Sequence, residues 1–130
     1  MKDMMIQIYD RLLTNQTILE KVGKEGIKFY ELPETFDTTK PFIIVDVLAP
    51  ATNAYRGSNK VLSQQLTYQL NVESMDRLLT KELARSVRES MCDFGFGQLP
   101  GGLDRYFSDT KRFVDARRYR TNTKIYETEF

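Results

Sequence analysis

The residues able to do chemistry in this chain are few. Histidine is absent and Cys92 is the only cysteine, so Ser-His-Asp and Cys-His constellations and most transition-metal sites cannot be built. No intrachain disulfide can form, and Cys92, where a helical stretch ends, reads as a small core residue. The remaining pool is carboxylate: Asp104, Asp109 and Asp115 in one segment, Glu127 and Glu129 in another. Metal-assisted hydrolysis would need such groups to converge in a cleft. Here they alternate with bulky residues along loops and a strand, with no lysine at a recognisable offset, so a small carboxylate-dependent metal enzyme is the remote reading. The run Gly95-Phe96-Gly97-Gln98-Leu99-Pro100-Gly101-Gly102 does not change this. A phosphate loop places its glycines before a helix N-terminus, whereas these follow a helix and lack a Gly-Lys-Ser/Thr ending. The expectation is a non-enzyme with no catalytic residue, cofactor or metal.

Contact chemistry is better represented. The formal net charge is only +1, which argues against a general nucleic-acid binder, but the charge is unevenly spread. From Glu25 to Leu48 five acidic residues face two lysines, and from Lys111 to Lys124 six basic residues face only Asp115. Such separation suits a protein that docks against copies of itself. Arg117, Arg118 and Arg120 form the densest basic strip, and Leu78 falls off the apolar arc of its helix as a candidate contact residue.

The elements that must position these groups centre on 41–73. Leu66, Tyr68, Leu70 and Val72 alternate with polar residues, the signature of a strand over 61–73 with one buried face. Its partner over 41–48, Phe42-Ile43-Ile44-Val45-Asp46-Val47-Leu48, is nearly continuous in apolar residues and reads as covered on both faces. Between them Pro50, Asn53, Gly57 and Asn59 are turn chemistry, so 49–60, which contains Tyr55 and Arg56, reads as a long loop that is either floppy or held by a contact. Upstream come a helix over 2–14 with an unusually wide apolar arc, a helical turn over 16–22 capped by Asn15, and a strand over 27–32 stopped by Pro33. After Glu73 the period becomes 3.6, giving a helix over 75–93 capped by Ser74 or Asp76. It turns Leu79, Leu83, Ala84, Val87, Met91 and Phe94 to the sheet and Arg77, Lys81, Arg85 and Arg88 away. A last strand over 111–121 is charged on both sides in its second half, as an edge strand is. With 130 residues the chain is expected to be a single domain, 1–130. No secretory signal or apolar run near the roughly 20 residues of a membrane span is present, so a soluble protein with no membrane partner is expected.

This order of elements, with Lys40-Pro41-Phe42-Ile43-Ile44-Val45 entering the central hairpin, the Asn53–Asn59 loop and Phe113-Val114-Asp115-Ala116-Arg117-Arg118-Tyr119-Arg120, resembles the small tail-completion or tail-terminator proteins of long-tailed phages. The resemblance runs from Met1 to Arg120. It implies an α+β fold: an antiparallel sheet of about four strands with two main helices packed on one face. It further implies a homohexameric ring, assembled in the host cytoplasm, that caps the tail tube at its head-proximal end in the virion. Its partners would be the tail tube protein, the head-completion protein and genome DNA passing through the lumen without sequence-specific binding. An adaptor or stopper at another level of the head-tail connector is the alternative. Arginines lining a DNA channel would grip phosphates, so Arg117, Arg118 and Arg120 are expected mainly at subunit or head-protein contacts, with Asp115 as an internal partner.

Overall fold

Strand periodicity is the strongest signal in the sequence, and the fold is built on it. The structure, a computed structural model, describes residues 3–57 and 60–123, with side chains described outside 49–63. In chain order the elements are α1 (Met4–Leu13), α2 (Gln16–Lys21), a 3-10 turn (Lys24–Gly26), β1 (Ile27–Phe29), β2 (Phe42–Gly57), β3 (Lys60–Ser74), α3 (Arg77–Asp93), β4 (Gly97–Gln98), β5 (Leu103–Phe107) and β6 (Arg112–Asn122). The strands form one six-stranded sheet ordered β1-β2-β3-β6-β4, with β5 also paired to β6. Leu66, Tyr68, Leu70 and Val72 of β3 join Ile43 and Val45 of β2 and Tyr119 of β6 in the core, under Met4, Met5, Ile8 and Leu12 of α1, Ile18 of α2 and Leu83, Val87 and Met91 of α3. The three helices therefore share one face of the sheet.

Four expectations are corrected here. The sheet has six strands rather than four and is mixed, because β1 pairs parallel to β2. The strand expected over 27–32 stops at Phe29: Tyr30 takes a positive φ of 68° and its amide donates to the Val45 carbonyl, while the Glu31 amide folds back on Phe29. The loop expected over 49–60 is instead the continuation of a hairpin, with Gly57 paired to Lys60. Register shifts at Val47/Ala49 and Ala49/Thr52 explain this, since a bulge is where a ladder accepts a proline such as Pro50. Finally, β6 is no edge strand, for it pairs β3 on one side and β4 and β5 on the other.

The helices follow their caps. The Asp3 carboxylate accepts from the Met5 and Ile6 amides, Asn15 from Ile18, and Asp76 from Leu78 and Leu79, each satisfying amides that a helix start leaves open. The wide apolar arc of α1 is covered from within the chain, leaving Ile6 half exposed. On α3 the buried stripe is Thr80, Leu83, Ser86, Val87, Ser90 and Met91, with Leu79, Ala84 and Phe94 only partly covered. Its small hydroxyl side chains leave room for the helix to sit close on the sheet. Cys92, expected in the core, is exposed. The helix ends in a Schellman arrangement: Gly95 has φ 99°, its amide donates to Cys92 and the Phe96 amide to Met91. This folds Phe96 into the core against the Tyr68 ring, with centroids 6.1 Å apart.

Candidate interaction surface

Alternation along β6 divides its arginines between two environments. Phe113, Asp115, Arg117 and Tyr119 stand opposite Ser74, Val72, Leu70 and Tyr68, on the helix side. Val114, Ala116, Arg118 and Arg120 stand opposite Glu73, Asn71, Gln69 and Thr67, on the face without helices.

On the helix side Arg117 grips Asp115 with both arms of its fork, Nε to Oδ1 at 2.9 Å and Nη2 to Oδ2 at 3.2 Å. Asp115 is 5% exposed, and its hydrogen bond pushes the Arg117 guanidinium upward against the opposing effect of desolvation. Beside them burial pushes the Tyr119 phenol far above its usual range, with Asp115 adding to the shift. Asp104 stands in register with Asp115 on the neighbouring strand but is held by Lys81 at 3.2 Å. The carboxylates weighed for metal chemistry thus come adjacent in one pair, each bound to its own cation. Asp109 lies in the turn between β5 and β6, and Glu127 and Glu129 lie outside the described residues. Among the described residues, no group of three or more His, Cys, Asp or Glu is placed to hold a metal ion.

The helix-free face carries an excess of positive charge set among apolar residues such as Ile44, Val114 and Ala116. Register places Lys28, Arg105, Arg112, Arg118 and Arg120 on it, against the carboxylates Asp46 and Glu73. At one end the 30–41 crossover folds over it, with Phe36 edge-on to Phe42 at 5.6 Å and Lys28 over Phe36 at 5.9 Å. Arg112 lies over the other side of this cluster, 5.4 Å from the Phe42 ring. Its Nε is 3.5 Å from the Glu73 carboxylate, too poorly aligned for a hydrogen bond. Burial pushes the Glu73 carboxyl above its usual value, and Arg112 works against that shift. Arg120 is tethered by Nε to the Thr67 hydroxyl at 3.3 Å, while Arg118 is exposed.

The structure therefore brings Arg118 and Arg120 together and sets Arg117 on the opposite face. Leu78 is 69% exposed at the start of α3, away from both. Tyr55 and Arg56 lie in the distal hairpin, their backbones paired with Ser63 and Val61, and their side chains fall outside what is described. Sequence reasoning missed Lys28, Arg105 and Arg112 as companions of Arg118. Only strand pairing brings them to one face, and Leu103-Asp104-Arg105-Tyr106-Phe107 has no period-two pattern to announce a strand.

No protein-family model matches this sequence, and no curated protein matches it. Among solved structures the fold is similar to that of a chain in the virion of the native gene transfer agent particle. The TM-score is 0.61 and the identity 14%, covering 88% of this chain and 90% of that one. At that identity the likeness is one of fold. No described helix is long and apolar enough to cross a membrane.

Proposed function

We propose that this chain is a structural protein of a phage-like virion that assembles as a homohexameric ring on the head-proximal end of the tail tube. There it ends tube polymerisation and joins the tail to head-completion proteins. The observation that carries the reading is the fold shared, over nearly the whole length of both chains, with a chain of a gene transfer agent virion. The surface supports it. The described functional groups are spread over both faces and the edges of the sheet rather than converging on one cleft, and function on such a chain resides in its contacts. Arg118 and Arg120 with Leu78, and Tyr55 and Arg56 on the distal hairpin, supply contacts to neighbouring subunits or head proteins. Arg117, still partly exposed in its Asp115 pair, adds a guanidinium on the opposite face. Genome DNA passes the ring without sequence-specific contact.

Light scattering on the purified 15.2 kDa chain, backed by negative-stain images, tests this. The expected result is a closed ring of about six subunits, formed by the chain alone or on added tail tubes, with the tubes then capped at one end. Rings that bind isolated portal complexes and leave tubes uncapped would assign the chain to an adaptor or stopper level instead. A monomer that ignores tail tubes would remove the assembly reading.

A further inference from the structure

Among the described strands β1 closes one side of the sheet, and β4 and β5 lie at the other. All five residues of β5 are exposed, including Leu103 at 37%, Tyr106 at 48% and Phe107 at 36%. No proline, lysine or bulge interrupts this strand, which mixes Asp104 and Arg105 with its apolar residues, and an open edge is a template for further pairing. At the far end β1 pairs with β2 alone. The Tyr30 amide donates inward to Val45, so alternation turns the Phe29 amide outward, while the Phe29 carbonyl on that side accepts from the Glu31 amide. The 30–41 crossover places its Phe36 on the face, over Phe42, and shares a concavity with Glu25, Gly26 and Lys28 at the β1 end.

Direction and level both fit. β1 runs parallel to β2, and each further step to β3, β6 and β5 reverses the chain, so β5 runs antiparallel to β1. The β1 of one copy set beside the β5 of another therefore has the opposite chain direction that an antiparallel pair needs. One row across the sheet reads Ile27, Ile43, Val72, Asp115, Asp104, and the next reads Lys28, Ile44, Asn71, Ala116, Leu103. The two edges therefore span the same rows of the sheet. Charge agrees with this: Asp104 is occupied by Lys81, Arg105 lies over the Phe107 ring at 5.4 Å rather than against a carboxylate of β5, and it shares a row with Gly26, beside exposed Glu25. The exposed segment 30–37 adds Glu31, Glu34 and Asp37 without a cation.

We propose that the outer edge of β5 pairs with the outer edge of β1 in a second copy of this chain, continuing the sheet from subunit to subunit, with Arg105 against Glu25 of the neighbouring copy. This rests on the ring reading above and specifies its interface.

A double variant, Lys28→Cys with Leu103→Cys in a Cys92→Ser background, tests the seam directly. These positions share a row at opposite edges of one sheet, so a short bis-maleimide cannot join them within a chain. The expected result is a ladder of covalent oligomers ending at the ring mass. Arg105→Glu and Glu25→Arg should each weaken assembly at least roughly tenfold, because like charges meet at the seam, and combining them should restore it. A ring of unchanged mass that gives no ladder and ignores both reversals overturns the seam and leaves the ring standing. A chain that stays monomeric, alone and with tail tubes, overturns the ring reading as well.

Discussion

Arg117 and Arg118 are neighbours in sequence and occupy opposite faces of one strand. Truncating Arg117 leaves Asp115, almost fully buried, without its bidentate partner. Arg117→Ala should therefore cost about 2–3 kcal/mol in urea unfolding, near the lower end for a broken buried pair because Arg117 itself is partly exposed. Arg118→Ala, on an exposed position, should change stability by less than about 0.5 kcal/mol. Glu73 acts through pH. Burial raises its folded value above 4.5, so above that pH the folded chain holds the proton more firmly than the unfolded chain. The stability from this group is present in full below pH 4.5 and is lost as pH rises through the folded value. Asp37, held below 3.8 by its Thr39 hydrogen bonds, has the opposite sense, its contribution being lost as pH falls, and acts only below that window. In unfolding curves taken across a pH series, Glu73→Gln should remove the downward trend that begins near pH 4.5. At this scale the sequence was informative: the two-residue spacing of Asp115 and Arg117 marks a same-face pair. What spacing does not tell is which face the helices cover, because β6 carries arginine on both.

Among the elements, those whose burial alternates were legible and those held only by pairing were not. β3 announces itself through Leu66, Tyr68, Leu70 and Val72, whose hidden side chains carry the signal. β5 is exposed along its whole length and exists because β6 offers it a ladder, so its composition owes nothing to a buried face. The distal hairpin misleads in the opposite way, since Pro50 and Asn53 are turn chemistry that bulged pairing absorbs. The α3 stripe was displaced toward Thr80, Ser86 and Ser90, because close packing against a sheet selects small side chains as well as apolar ones. The attachment of β5 depends on Gly102. A Cβ there would stand 2.5 Å from the Ala116 carbonyl oxygen, at a φ of +109°. Gly102→Ala should accordingly destabilise by at least about 2 kcal/mol. Gly101→Ala, strained at φ +88° but facing open space, should cost only about 1 kcal/mol. Urea unfolding of the two variants side by side checks the contrast.

For the molecule as a whole, the two ends of one sheet are the surfaces on which the proposed assembly turns, and neither is visible in composition. Charge segregation between 25–48 and 111–124 pointed toward complementary patches, but the strand order decides where they lie. β6 carries much of the basic segment into the interior of the sheet, leaving Arg105 on β5 to present charge at the edge. That strand order also has a consequence in time. β6 is the last strand described in the chain, yet it is the one that β3, β4 and β5 all pair with. During synthesis, until residues 112–122 leave the ribosome, β3 keeps an open flank and β4 and β5 have no partner in the sheet. Completion of the sheet thereby waits for residues 112–122 to emerge, and a nascent chain cannot offer its β5 edge to another copy before its own β6 is in place.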